Sequence, residues 1–190
     1  MKNTLLLLLI VLNLLIKAQS VKEKIADKHF DNLEFVSASE IYEELARGKH
    51  PKIKYYVRAG ESNLNMGDYR KAQVYYEKAY TNTGMTDKDL YNYYQVLKYN
   101  SNYTKATAVF SKINDNNYKL IRDNIAQKKL VVEELKKDSS NYTLKKLSIN
   151  SNENDFCPYV INNEIYFLSS RRNTALTGRK YGWDNSYYLD

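Results

Sequence analysis

Six side chains in this sequence have the chemistry to make or break bonds: Ser169 and Ser170 as nucleophiles, Asp155 as an acid, His29 and His50 as bases, and Cys157 as a thiol. Nucleophilic catalysis needs a base within hydrogen-bond reach of the nucleophile and a third group to orient that base. Neither histidine has a recognisable partner motif. His29 stands beside Phe30 in a helical pattern, where a packing or surface role is expected, and His50 precedes Pro51 in the turn after Gly48, where exposure is expected. Cys157 is expected as a small buried side chain rather than a reactive thiol. Glycine-rich phosphate loops and metal-spaced clusters are absent from the sequence. One cysteine and two histidines leave too few ligands for a multi-cysteine zinc site or a catalytic metal. The expectation is a chain with no catalytic residues, no metal and no cofactor.

What the sequence builds is more informative. Its 190 residues, 43% hydrophobic and 27% charged, have the composition of a globular protein and allow one ordinary domain or two small ones. Tyrosine is abundant at 19 residues, while glycine (6) and proline (2) are scarce, which favours helices packed through aromatic rings. Thirteen of those tyrosines lie between Tyr42 and Tyr118.

Lys2 is followed by an apolar run from Leu5 to Ile16 and then by Lys17-Ala18-Gln19-Ser20, the pattern of a cleaved secretory signal over residues 1–18. A membrane span needs about 20 apolar residues, and nothing after Ala18 approaches that length, so no membrane span is expected. Gln19 to Lys137 carries 21 basic and 16 acidic residues, and Asp138 to Asp190 carries six of each. Such a spread excess is a solvated face rather than a nucleic-acid stripe, so no nucleic-acid partner is expected.

A 34-residue period organises the middle. It relates Ala38, Ala72 and Ala106; Phe35, Tyr69 and Tyr103; Tyr42, Tyr76 and Phe110; Leu45, Ala79 and Ile113; and Ala26 to Gly60. In the second unit, Lys52 to Met66 and Tyr69 to Asn82 read as two helices broken at Gly67-Asp68, where glycine suits a left-handed helix end and aspartate caps the next helix. Tyr69, Ala72, Tyr76 and Ala79 form one apolar stripe. Small side chains at the alanine positions let paired helices approach closely, and Thr86 with Asp89 is a start signal for the third unit. Tyr118 to Lys137 reads as a further amphipathic helix that caps the array.

At these positions the chain resembles the tetratricopeptide repeat family, whose 34-residue unit carries small residues at its eighth and twentieth positions. The resemblance implies three units, at about 19–52, 53–86 and 87–120, and a capping helix at 121–137. Ala26 and Gly60 match the eighth position and Tyr94 departs from it; Ala38, Ala72, Ala106, Tyr42, Tyr76 and Phe110 are the packing residues. The implied fold class is mainly α, a solenoid of helix-turn-helix hairpins followed by a short antiparallel β segment.

From Asp138 the helical period stops. Leu144 to Ile149, Pro158 to Ile161 and Glu164 to Ser169 read as strands, the last two joined by Asn162-Asn163, a pair suited to a tight hairpin turn. Asn154-Asp155-Phe156-Cys157-Pro158-Tyr159 followed by Ile165-Tyr166-Phe167-Leu168-Ser169-Ser170-Arg171-Arg172 resembles the first blade of a WD40-like propeller, with Cys157 where a small residue is frequent. One blade does not bury both its faces, so residues 138–190 are expected to begin a propeller continued in a longer protein or to pack on another surface.

Together the segments are similar to the N-terminal part of the OmpA-family envelope proteins of Bacteroidetes, some of them associated with type IX secretion. The resemblance implies a non-enzymatic scaffold of the periplasm and outer membrane that binds envelope proteins or extended peptides, with peptidoglycan held only by a domain absent from these residues. The implied groove is lined by Lys54, Val57, Glu61 and Leu64 from the second unit and Lys88, Tyr91, Gln95 and Lys98 from the third. The alternative is a stand-alone exported repeat protein that binds a peptide or glycan.

Overall fold

A computed structural model of the chain describes residues 20–82, 84–127, 136–171 and 180–187. The expected signal segment lies outside them, as do residues 128–135 of the expected capping helix and residues 172–179 and 188–190 of the β region. Of the described residues, those up to Ile113 together with Gly182–Asp184 form one compact unit. Those from Asn114 to Tyr181, with those from Asn185 onward, form a second. The chain is mainly helical, with one short two-stranded antiparallel sheet.

The first unit consists of α1 (residues 20–31), α2 (Phe35–Ala46), α3 (Ile53–Asn65), α4 (Tyr69–Tyr80), α5 (Asp87–Tyr99) and α6 (Tyr103–Phe110). Consecutive helices pair as α1–α2, α3–α4 and α5–α6, and the turn inside each pair is the same. Leu33, Gly67 and Ser101 adopt φ of 62°, 80° and 59°, so a left-handed residue recurs every 34 positions. Around each of them the backbone closes in the same way. Glu34, Asp68 and Asn102 donate to His29, Asn63 and Leu97 carbonyls at 2.9, 2.9 and 2.8 Å, and the left-handed residues donate to Phe30, Leu64 and Lys98 carbonyls. This double bond satisfies carbonyls that a helix end leaves unpaired. The expected start signal before α5 is a complete capping box between Thr86 and Asp89.

Two ladders of charge, each with the 34-residue step, tie the hairpins together. Among the first helices, Lys54 binds Asp27 at 2.8 Å and Lys88 binds Glu61 at 3.2 Å. Among the second helices, Lys71 binds Glu43 and Lys105 binds Glu77, both at 2.6 Å. The first helices therefore lie in one row and the second helices in another.

Between the rows sits the core. Ala38, Ala72 and Ala106 are buried, as are Tyr42, Tyr76 and Phe110, which places the sequence-predicted packing residues inside. Gly60 is in close contact with one of them: a Cβ there would meet the Tyr76 ring at 2.9 Å. In the third hairpin the bulky Tyr94 is accommodated by tilting against Phe110, with centroids 4.8 Å apart. A larger side chain at that position is tolerated because its ring packs on the ring that faces it.

The second unit contains α7 (Lys119–Gln127), preceded by a 3-10 turn at Asn116–Tyr118, and a 3-10 turn at Asp138–Asn141. Its sheet pairs β1 (Asp155–Ile161) with β2 (Glu164–Ser169). Asn162 and Asn163 take φ of 50° and 65° in the turn, as their side chains predict. Residues 144–149 form no strand; Leu144 is fully exposed, and no described strand pairs with this stretch. Between Phe156 and Tyr159 the register slips by one residue at a bulge. Cys157 sits in that bulge with φ of 53° and is exposed, which overturns the expectation of a buried side chain. The positive φ explains it, since the extra residue of a bulge is turned out of the ladder.

Candidate functional site

The exposed side of the first-helix row is the candidate interaction surface. Its residues are set by position in the hairpin: the second, fifth, ninth and twelfth positions of α3 and α5, with the residues 34 positions earlier in α1, fall on one stripe of spacing three and four. The eight expected groove residues divide into two groups. Lys54, Glu61 and Lys88 are occupied within the protein. Lys54 bridges Asp27 and Glu23 at 2.8 and 3.0 Å, and Glu61 receives Arg58 at 2.8 Å and Lys88 at 3.2 Å. Arg58 also lies over the Phe30 ring at 4.2 Å. The other group is Val57, Leu64, Tyr91 and Gln95, all half-buried, and Lys98, which is exposed. Lys98 stands over the Tyr94 ring at 5.0 Å and reaches Gln95 at 3.4 Å, while the Tyr91 ring tilts against Tyr94 at 5.9 Å.

The electrostatics of this row are dominated by two carboxylates of α1. Lys52, then Tyr55 and Lys54, hold Glu23 at a pKa of about 2 against the effect of burial. Burial pushes Asp27 up, yet hydrogen bonds from Lys54 and Tyr42 outweigh it and leave the carboxyl below its ordinary range. In the second row, burial likewise raises Glu43, but Lys71, Ser39 and Asn63 together hold it low. Asn63 is itself buried and donates to Ser39 Oγ and the Ala59 carbonyl, both at 2.8 Å. All three carboxylates are held toward the charged form by the cations and hydrogen-bond donors beside them.

The residues with nucleophile chemistry serve the β hairpin. Asp155 accepts from Ser169 Oγ at 2.7 Å, from Arg171 at 3.1 and 2.8 Å, and from the Ser151 amide and hydroxyl at 2.7 and 2.9 Å. Arg171, the largest cause, and these other donors hold the carboxyl well below the usual range. Ser170 is buried, with its amide bonded to the Asn154 carbonyl at 3.0 Å and its hydroxyl to the Asn154 amide at 3.1 Å. The Ser-Ser-Arg run thus closes the mouth of the hairpin. His29 pairs with Glu34, and His50 is exposed. Among the described residues no cluster of three or more histidine, cysteine or acidic side chains is placed to hold a metal ion, and no helix is long and apolar enough to cross a membrane.

Two further features lie at the junctions between hairpins, and the sequence reading singled out neither. At the first, Trp183 meets the Phe35 ring edge-on with centroids 4.7 Å apart and donates its indole N–H to the Asn65 carbonyl at 2.7 Å. At the second, an open cleft of about 710 Å³ is lined by Gly67–Arg70, Gln73, Val74, Glu77 and Tyr99–Ser101. The Tyr99 ring stacks on Tyr69 at 4.2 Å, and Asn100 donates to the Tyr69 carbonyl and to Gln73. The lone tryptophan was a compositional signal for the first; the recurrence of aromatic residues at positions 35 and 69 was a signal for the second.

No family model, curated protein or solved structure matches the chain.

Proposed function

We propose that the chain is an exported, non-enzymatic scaffold, a tetratricopeptide array that binds envelope proteins or extended peptides along its first-helix row. The observation that carries this reading is the division of labour on that row. Ion pairs at Lys54, Glu61 and Lys88 fix the helices side by side, and Val57, Leu64, Tyr91, Gln95 and Lys98 form beside them a mixed apolar, amide and cationic stripe. Such a stripe suits an extended segment that offers apolar side chains and an acidic or carbonyl group. The 34-residue recurrence of left-handed turns supports the repeat assignment.

The start of a propeller blade is the proposed role of the second unit. Its support is the Asp155–Ser169–Arg171 node and the left-handed Cys157, a backbone state that favours the small residue frequent there. On this reading the chain is the N-terminal part of an OmpA-family envelope protein linked to peptidoglycan anchoring or type IX secretion, with peptidoglycan held by a separate domain. Affinity capture from envelope extracts tests the scaffold role. Partners recovered with the wild-type chain are lost when Tyr91→Ala and Lys98→Glu are combined, and equal recovery by the double variant rejects the binding row.

A further inference from the structure

The repeat lets one junction interpret the next. At the first junction Gly182 and Trp183 are seated by four residues. Phe35 packs on the indole, the Asn65 carbonyl accepts its N–H, the Val36 amide donates to the Gly182 carbonyl at 3.4 Å, and Glu34 stands close enough that a Cβ on Gly182 would meet its side chain at 3.6 Å. A step of 34 residues carries Glu34, Phe35, Val36 and Asn65 to Asp68, Tyr69, Arg70 and Tyr99. All four of these line the open cleft at the second junction.

We propose that this cleft is a docking site for an extended segment of a partner protein that carries tryptophan between a glycine and an acidic residue, as Gly182-Trp183-Asp184 does. The chain's own segment is engaged at the first junction, so the occupant of the second comes from another polypeptide. The backbone groups required are supplied by the hairpin geometry. The Arg70 amide is in the first turn of α4 and the Tyr99 carbonyl in the last turn of α5, where neither has an intrahelical partner. They stand in the repeat positions of the Val36 amide and the Asn65 carbonyl.

Side chains at the second junction set its specificity. Tyr99, whose counterpart is the short Asn65, covers the Tyr69 ring, so an incoming indole meets the outer face of Tyr99, which is 56% exposed. Val74, 49% exposed, adds apolar lining. Tryptophan combines a large apolar face with one N–H donor, the combination this cleft can satisfy. Arg70 is exposed and makes no salt bridge among the described residues, which favours an acidic residue beside the tryptophan. The cleft shares no lining residue with the stripe of Val57, Leu64, Tyr91, Gln95 and Lys98, so variants of the two can be tested separately.

The test is fluorescence anisotropy of a labelled Tyr-Gly-Trp-Asp-Asn peptide titrated with the full chain. Saturable binding is expected, about tenfold or more weaker for Val74→Asp and for the peptide with alanine in place of tryptophan, and weaker and less salt-sensitive for Arg70→Glu. Val74 and Arg70 are both exposed, so neither change strains the core, and circular dichroism of each variant checks the fold. In the Trp183→Ala chain, which vacates the first junction, the stoichiometry rises from one peptide to two. The proposal is overturned by the absence of saturable binding to the wild-type chain, by equal affinity for Val74→Asp, or by binding only to the Trp183→Ala chain.

Discussion

Replacing Gly67 with alanine and Ser101 with glycine should shift stability in opposite directions, although both residues occupy the same place in successive hairpins. Gly67 has φ of 80°, and a Cβ built on it meets nothing within 4 Å, so Gly67→Ala changes the backbone cost alone. A left-handed residue with a Cβ pays roughly 1–2 kcal/mol. Removing a glycine returns about 0.4–1 kcal/mol by restricting the unfolded chain. The net destabilisation centres on about 0.8 kcal/mol. Ser101 has φ of 59° and is exposed, so Ser101→Gly runs the same exchange backwards and stabilises by a similar amount. Leu33 is the poorer choice for such a test, because truncating a leucine, even an exposed one, changes apolar surface as well as the backbone cost. Urea unfolding followed by circular dichroism at 222 nm reads both effects as midpoint shifts at constant slope, matched by opposite changes in Tm of roughly 1–4 °C. If Gly67→Ala were as stable as the wild type, or Ser101→Gly lost about 1 kcal/mol, the shared left-handed turn would be wrong.

Gly60→Ala should cost about 1–3 kcal/mol, because the new methyl enters the ring of the fully buried Tyr76, and the same denaturation assay measures it. Glu23 gives a pH dependence of defined sign. Its folded pKa of about 2 lies below the ordinary 4.5, so the stability it contributes is present above pH 4.5 and is lost as pH falls toward 2. The stability gap between wild type and Glu23→Gln should therefore close across that window, and a gap unchanged from pH 7 to pH 2 would contradict the assignment. Asp155→Asn removes the negative charge and replaces one of the two carboxylate oxygens that accept from Ser169, Arg171 and the Ser151 amide by a donor. Hydrogen exchange at Ser151 and along β1 should accelerate while exchange in α3 and α4 is unchanged.

The sequence displayed the repeat through its small and aromatic core positions, because packing between two rows of helices constrains volume at Ala38, Ala72 and Ala106 directly. It displayed only one of the three turns. Gly67 announces a left-handed residue, whereas Leu33 and Ser101 adopt the same state without the residue type that signals it. The charge ladders were illegible for a different reason. Asp27–Lys54 and Glu61–Lys88 join helices of neighbouring hairpins, so Lys54, Glu61 and Lys88 read as free groove residues until the helices are placed side by side. Trp183 meets Phe35 across 148 positions, a separation at which no local pattern carries information. In the β region the paired asparagines specified the turn. Cys157, by contrast, depended on a bulge set by the register of both strands.

The central claim, that partners bind along the first-helix row, is tested most directly by site-specific photocrosslinking in the native cells. A photoreactive phenylalanine analogue placed at Tyr91 of α5 should yield a discrete crosslinked envelope polypeptide, whereas the same analogue at exposed Lys78 of α4, in the other row, should not. Equal crosslinking at both positions, or crosslinking at Lys78 alone, would contradict the account.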